Sequence, residues 1–151
     1  MPRKIRIQFQ GAGYHIMSRG DQYGPIFLSD SDRHSFLKTL GETCQRTGWV
    51  IHAYVVMDNH YHMLVETPGA NLVEGMRWFQ STYTRRFNGR NNLVGHVFQG
   101  RYRALIIDPK EREYFLTVSE YTHLNPARAG LLDKQNPRLS KYCWSSFMRI
   151  T

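Results

Sequence analysis

WVIHAYVVMDNHYHMLVE, residues 49–66, decides the fold. Residues 49–57 are β-branched and aromatic and read as a strand. Asp58-Asn59 suits a tight turn. Residues 60–66 then return as the next strand, antiparallel to the first. Successive side chains on a strand alternate between faces, so His60 and His62 share one side and Tyr61 takes the other. Two imidazoles with parallel side chains suit a divalent metal, and a third ligand must come from elsewhere in the fold. Taken alone, such a pair is more often incidental than functional.

The flanking segments complete a pattern. Residues 13–19, GYHIMSR, alternate weakly and predict a first strand. Phe36, Leu37, Leu40 and Cys44 fall at helical spacing within 31–47; Ser29 and Asp30 are available as caps, and Gly48 suits the stop. Residues 71–87 predict a second helix, with Leu72, Met76, Phe79, Tyr83 and Phe87 on one stripe and Arg77, Ser81, Thr84 and Arg85 opposite. Residues 101–107 predict a fourth strand. Asp108-Pro109 then opens a third helix that ends near Asn125, because Pro126 disfavours helical geometry in the residue before it. The order β-α-β-β-α-β followed by a helix predicts an α+β, ferredoxin-like split βαββαβ fold, with an antiparallel sheet, helices on one face and an additional C-terminal helix. No repeat, low-complexity tract or linker interrupts it, so residues 1–151 read as a single domain.

Composition narrows the partner. The 151 residues are 41% hydrophobic and 21% charged, a globular balance. No apolar run approaches the ~20 residues that span a bilayer. The N-terminus starts basic without the apolar stretch of a signal peptide, so a cytoplasmic location is expected and no membrane partner. Cys44 and Cys143 form no Cys-x-x-Cys pair and read as reduced thiols. The net charge of +8 and pI near 9.8 point to a polyanion, nucleic acid above all. The arginines are spread over several segments (Arg77, Arg85, Arg86, Arg90, Arg101, Arg103, Arg112 and Arg128), unlike one basic membrane-surface helix. Arg101 and Arg103 are expected on one strand face and Arg77 and Arg85 on the polar face of the second helix, all four contacting nucleic-acid backbone. His15, His52, His96 and His123 read as structural or DNA-contacting.

EYFLTVSEYTHLNPARAG, residues 113–130, supplies candidate partners for the histidines. Tyr121 and Asn125 are four apart and share a helix face. Asn125 can add an oxygen ligand, and Tyr121 can sit near the metal as a nucleophile. Tyr114 lies on nearly the same face and is a rival, without an amide four residues on.

With these residues in place the chain resembles a family. AYVVMDNHYHMLVETP (53–68), GHVFQGRYRA (95–104), YTHLNPARAG (121–130) and YHIMSRG (14–20) are similar to motifs of the REP-associated tyrosine transposases, relatives of single-tyrosine insertion-sequence transposases of the His-hydrophobic-His (HUH) class. The resemblance runs from about Gly13 to Trp144. It implies a Mg²⁺ or Mn²⁺ ion, and cleavage and strand transfer of single-stranded or hairpin DNA through a covalent 5′-phosphotyrosine. It implies His60 and His62 as metal ligands, Tyr121 as the nucleophile and Asn125 as the third ligand, with Glu66 a substitute on the same strand face. Relatives of this kind are monomers or homodimers. Two other readings stay open at this point: a non-catalytic nucleic-acid-binding module, and a metal-dependent nuclease that uses water.

Overall fold

The computed structural model describes residues 5–108, 110 and 111. Six main elements follow in order: β1 (Ala12–Arg19), α1 (Asp30–Thr47), β2 (Val50–Val56), β3 (His60–Thr67), α2 (Leu72–Asn91) and β4 (Arg103–Ile107). The sheet order is β2-β3-β1-β4, and every neighbouring pair is antiparallel. The crossover through α1 therefore passes over β3, and that through α2 passes over β1. This is the split β-α-β arrangement expected from the element order. The third helix expected after Asp108 lies outside the described residues. At its expected start, Asp108 accepts from the Lys110 N–H through Oδ1 at 2.9 Å and from the Glu111 N–H through its carbonyl at 3.0 Å.

Both described helices cover the same sheet face. Tyr14 and Ile16 of β1, Tyr54 and Val56 of β2, and Tyr61, Met63 and Val65 of β3 point into one core with Phe36 and Leu40 of α1. The whole predicted stripe of α2 (Leu72, Met76, Phe79, Tyr83, Phe87) is buried there. Aromatic packing sets its centre: the Phe36 ring lies 5.0 Å from Tyr61 and Phe79 and 5.3 Å from Tyr83, in tilted or edge-on contacts. Such pairs are each worth about 0.5–1.5 kcal/mol beyond the area they bury. A smaller buried cluster of Ala53, Leu64 and Ile107 lies on the other face.

Helix ends follow their sequence signals and in one case exceed them. Ser29 Oγ accepts from the Asp32 N–H, and Gly48, at φ +78°, closes α1 with its N–H on the Cys44 carbonyl. The second helix runs four residues past its expected end at 87. The reason is the fully buried Asp32 carboxylate, which accepts from Arg90 Nη1 at 2.7 Å, Asn91 Nδ2 at 3.2 Å and the Leu28 N–H at 2.9 Å. An unpaired carboxylate there is costly, so the last turn of α2 forms around it. The fourth strand is shorter than expected and starts at Arg103. Arg101 sits in the bend before it, so Arg101 and Arg103 do not alternate along one strand as the sequence reading proposed. The Gln99 N–H bonds the Arg19 carbonyl at 2.8 Å, but Gly100 takes φ +55° and turns the chain, so regular pairing with β1 begins only at Arg103, opposite Met17.

One glycine is a packing requirement. A Cβ on Gly75 would lie 2.1 Å from Cζ2 of the Trp49 ring. The ring cannot yield, because its Nε1–H donates to Asn71 Oδ1 at 3.0 Å while Asn71 Nδ2 holds the Thr47 carbonyl at 2.9 Å. Gly75→Ala is expected to destabilise by about 1–3 kcal/mol, overriding the gain that alanine usually brings to a helix. Gly41→Ala, where a Cβ meets nothing, is expected to stabilise by about 0.5–1 kcal/mol. Urea unfolding of both variants checks the pair; equal signs would refute the packing argument.

Candidate metal and nucleic-acid site

The sheet face turned away from the helices carries the histidine pair. The His60 and His62 rings stand 5.1 Å apart at 83° to each other, as neighbours on β3. Cross-strand pairing sets Met17 opposite His62 and Arg19 opposite His60. His15 is therefore diagonal to His62 on the same face, and its ring stacks on His62 at 5.3 Å and 18°. The bond between His15 Nε2 and His62 Nδ1 is 3.1 Å. On the other ring, His60 Nδ1 bonds Asn59 Oδ1 at 2.9 Å; since the amide oxygen only accepts, Nδ1 carries the proton and Nε2 keeps its lone pair. If His62 Nδ1–H donates to His15, the Nε2 atoms of both paired histidines are ligating nitrogens.

Burial keeps these rings neutral. It lowers the His60 pKa, assisted by Arg19, and lowers that of His15. For His62, burial first, then His15 and His60, bring the value down to about 3. Neutral imidazole is the form that binds a metal, so no proton competes at physiological pH. The same fact fixes a stability trend. In the unfolded chain His62 titrates near 6.5, so below that pH the unfolded state binds a proton that the folded state refuses. Stability is full above about pH 6.5 and falls as pH drops. In EDTA, His62 alone is expected to remove about 2 kcal/mol between pH 7 and pH 5. Urea melts at the two pH values check this, and His62→Asn should lose that part of the slope whatever its baseline stability.

The other predicted residues divide. Glu66 is four residues along β3 from His62, about 13 Å by strand rise, and its Oε1 pairs with His52 Nε2 at 3.3 Å. The fold does not bring it to the histidine pair. Tyr121, Tyr114 and Asn125 lie outside the described residues. Arg77 and Arg85 are exposed on α2, as are Arg101 and Arg103 near β4. One open cleft is lined by Arg77, Gln80, Ser81 and Arg101, and another by Met17, Arg19, Gln99, Arg101 and Arg103. Arg101 borders both, joining the basic face of α2 to the histidine side of the sheet. Two arginines that looked equivalent in sequence are engaged within the chain: Arg86 pairs with Glu42 at 2.9 Å and bonds Thr39 Oγ1 at 2.8 Å, and Arg90 holds Asp32. The reading of single residues missed the proximity of His15. Its signal was the alternation of His15, Met17 and Arg19 within YHIMSRG, legible only once β1 is known to lie beside β3.

Among the described residues, no group of three or more His, Cys, Asp or Glu side chains is arranged to hold a metal. The described residues thus offer an ion two neutral imidazoles. That donor set fits a divalent transition ion such as Mn²⁺ better than Mg²⁺, which favours oxygen. Among the same residues, no helix is long and apolar enough to cross a membrane.

The split βαββαβ sheet, with the paired histidines on the face away from its two described helices, is the arrangement in which the chain meets a known family. Residues 8–125 match the family described as "Transposase IS200 like", and the chain belongs to that family. Among solved structures, a REP-associated tyrosine transposase bound to a REP hairpin superposes with a TM-score of 0.79 at 15% identity, over 99% of this chain and 84% of that one. A transposase-like protein from Deinococcus radiodurans R1 superposes with a TM-score of 0.54 at 16% identity, over 80% of this chain and 98% of that one. At such identities the likeness speaks to the fold. No curated protein matches the sequence.

Proposed function

We propose that the chain cleaves and rejoins single-stranded or hairpin DNA by metal-dependent transesterification, with Tyr121 as nucleophile. The observation that carries this is the pair of neutral imidazoles, His60 and His62, side by side on a central strand of an IS200-like transposase chain. In this reading His60 and His62 would hold the ion, and Asn125 would provide the third protein ligand. When bound there, Mn²⁺ or Mg²⁺ would polarise the scissile phosphate and neutralise charge on its oxygens. The Tyr121 phenolic oxygen attacks phosphorus and forms a 5′-phosphotyrosyl ester. The bond to the 3′ oxygen breaks and that oxygen leaves as a 3′-OH; the proton the phenol gives up on attack balances the one the 3′ oxygen takes up. One phosphoester bond replaces another, so a 3′-OH can reverse the step without ATP. Arg77, Arg85, Arg101 and Arg103 contact the DNA backbone.

Incubation with a stem-loop oligonucleotide from DNA flanking the gene, with Mn²⁺, is expected to give a covalent protein–DNA adduct on a denaturing gel. Cleavage without an adduct would replace the phenol with water as nucleophile. The binding step has its own signature. If about four to six phosphates are neutralised, the logarithm of the single-strand affinity falls with the logarithm of salt with a slope of roughly −3 to −4. A flat response in a fluorescence-anisotropy titration removes the DNA-binding reading altogether.

A further inference from the structure

The loop between β1 and α1 presents an aromatic ring where the core has no use for it. Tyr23 is 65% exposed. Gln22 and Tyr23 lie at φ +53° and +59°, two consecutive non-glycine residues in the left-handed region. Such backbone is unfavourable and persists only where the surroundings impose it. Here they do: the Asp21 N–H bonds the Val97 carbonyl at 2.9 Å, the Tyr23 N–H bonds the Gly20 carbonyl at 3.1 Å, and the Gly24 N–H bonds the Asp21 carbonyl at 2.9 Å. The Arg19 guanidinium lies over the ring, 4.0 Å from its centroid, and its Nε and Nη2 donate to Gln99 Oε1 at 3.3 and 3.0 Å. One ring face is thus backed by a fixed cation, and the exposure of Tyr23 leaves the other to solvent.

This stack is joined to the histidine pair. Arg19 is the cross-strand partner of His60 on β3. The Asn59 side chain spans the gap: Oδ1 accepts from His60 Nδ1 at 2.9 Å, and Nδ2 donates to the Tyr23 carbonyl at 3.3 Å. A single amide therefore orients a metal-binding imidazole and the aromatic loop together. We propose that Tyr23, backed by Arg19, is a stacking platform for an unpaired nucleobase flanking the cleaved phosphate. A planar, electron-deficient base is the ligand that matches an open phenol face, and a cation on the far side adds attraction for the neighbouring phosphates. The inference rests on the DNA-cleaving reading and adds to it a base-binding position.

The test uses the full chain in EDTA, so that no cleavage intervenes. The probe is the same stem-loop oligonucleotide with unpaired 5′ and 3′ tails, carrying 2-aminopurine at one tail position at a time. With the wild-type chain and with Tyr23→Phe, fluorescence at one tail position is expected to be quenched on binding. Tyr23→Asn removes the ring and keeps a residue that tolerates left-handed backbone. That variant is expected to lose the quenching and to bind roughly ten- to a hundredfold more weakly, the usual effect of losing one stacked base. Its salt slope and thermal melt should match wild type, because the backbone contacts and the fold remain. Quenching and affinity unchanged in Tyr23→Asn would overturn the platform and leave the DNA-cleaving reading standing. Absence of any salt-dependent binding by the wild-type chain would overturn both.

Discussion

Tyr121→Phe is expected to leave folding and single-strand binding intact and to eliminate the covalent adduct. The substitution keeps the ring and removes one oxygen. If that oxygen is the nucleophile, no phosphotyrosyl ester can form and cleavage falls to background. If Tyr121 is only a packed aromatic, the change costs at most about one hydrogen bond, ~1 kcal/mol, and the adduct survives. The two outcomes are therefore far apart on a denaturing gel. Tyr114→Phe is the paired control, because Tyr114 presents a phenol from nearly the same predicted helix face. An adduct that persists in Tyr121→Phe and vanishes in Tyr114→Phe reassigns the nucleophile.

The double variant His60→Ala, His62→Ala is expected to lose cleavage by a hundred- to a thousandfold or more, since an ion that polarises the phosphate supplies about 3–4 kcal/mol or more of transition-state stabilisation. Single-strand affinity in EDTA should change little, because the proposed arginine contacts are elsewhere. The fold should survive: both rings lie on the face away from the main core, where His62 is buried and His60 half-buried. A chelator should reproduce the loss in the wild-type chain, and Mn²⁺ should restore it there and not in the variant. Full cleavage in EDTA would defeat the assignment of these histidines to a metal.

The architecture was largely legible because its signals are local. The stripe from Leu72 to Phe87 and the alternation around His60, Tyr61 and His62 each belong to one element, and those elements formed as expected. What could not be read depends on contacts between distant segments. Arg86 and Arg90 look like Arg77 and Arg85 in sequence; only the packing of α1 against α2 shows that the first two are held by Glu42 and Asp32. His15 stood in a recognisable motif, yet its contact with His62 depends on a strand register set across 47 residues. Gly75 reads as a weak helix position until Trp49 is found above it. Tyr23 reads as an ordinary loop residue until its backbone and Arg19 are seen together. For the candidate site, the shared strand face of His60 and His62 followed from their spacing, their weight as a pair came from the neighbouring motifs, and their arrangement with Asn59 and His15 followed from the fold.

The position of β3 has a consequence for how the histidine pair can fail. The strand is hydrogen-bonded on both edges, to β2 and to β1, along nearly its whole length. A segment held in this way opens to solvent with the cooperative unit as a whole, not by fraying. A one-residue slip would turn both imidazoles into the helix-side core and Tyr61 outward, a state that the aromatic packing excludes. The backbone amide of His62 should therefore exchange hydrogen as slowly as the most protected in the sheet. Denaturant should then abolish metal binding at the concentration that unfolds the chain, with no earlier stage at which the pair is loosened and the fold intact.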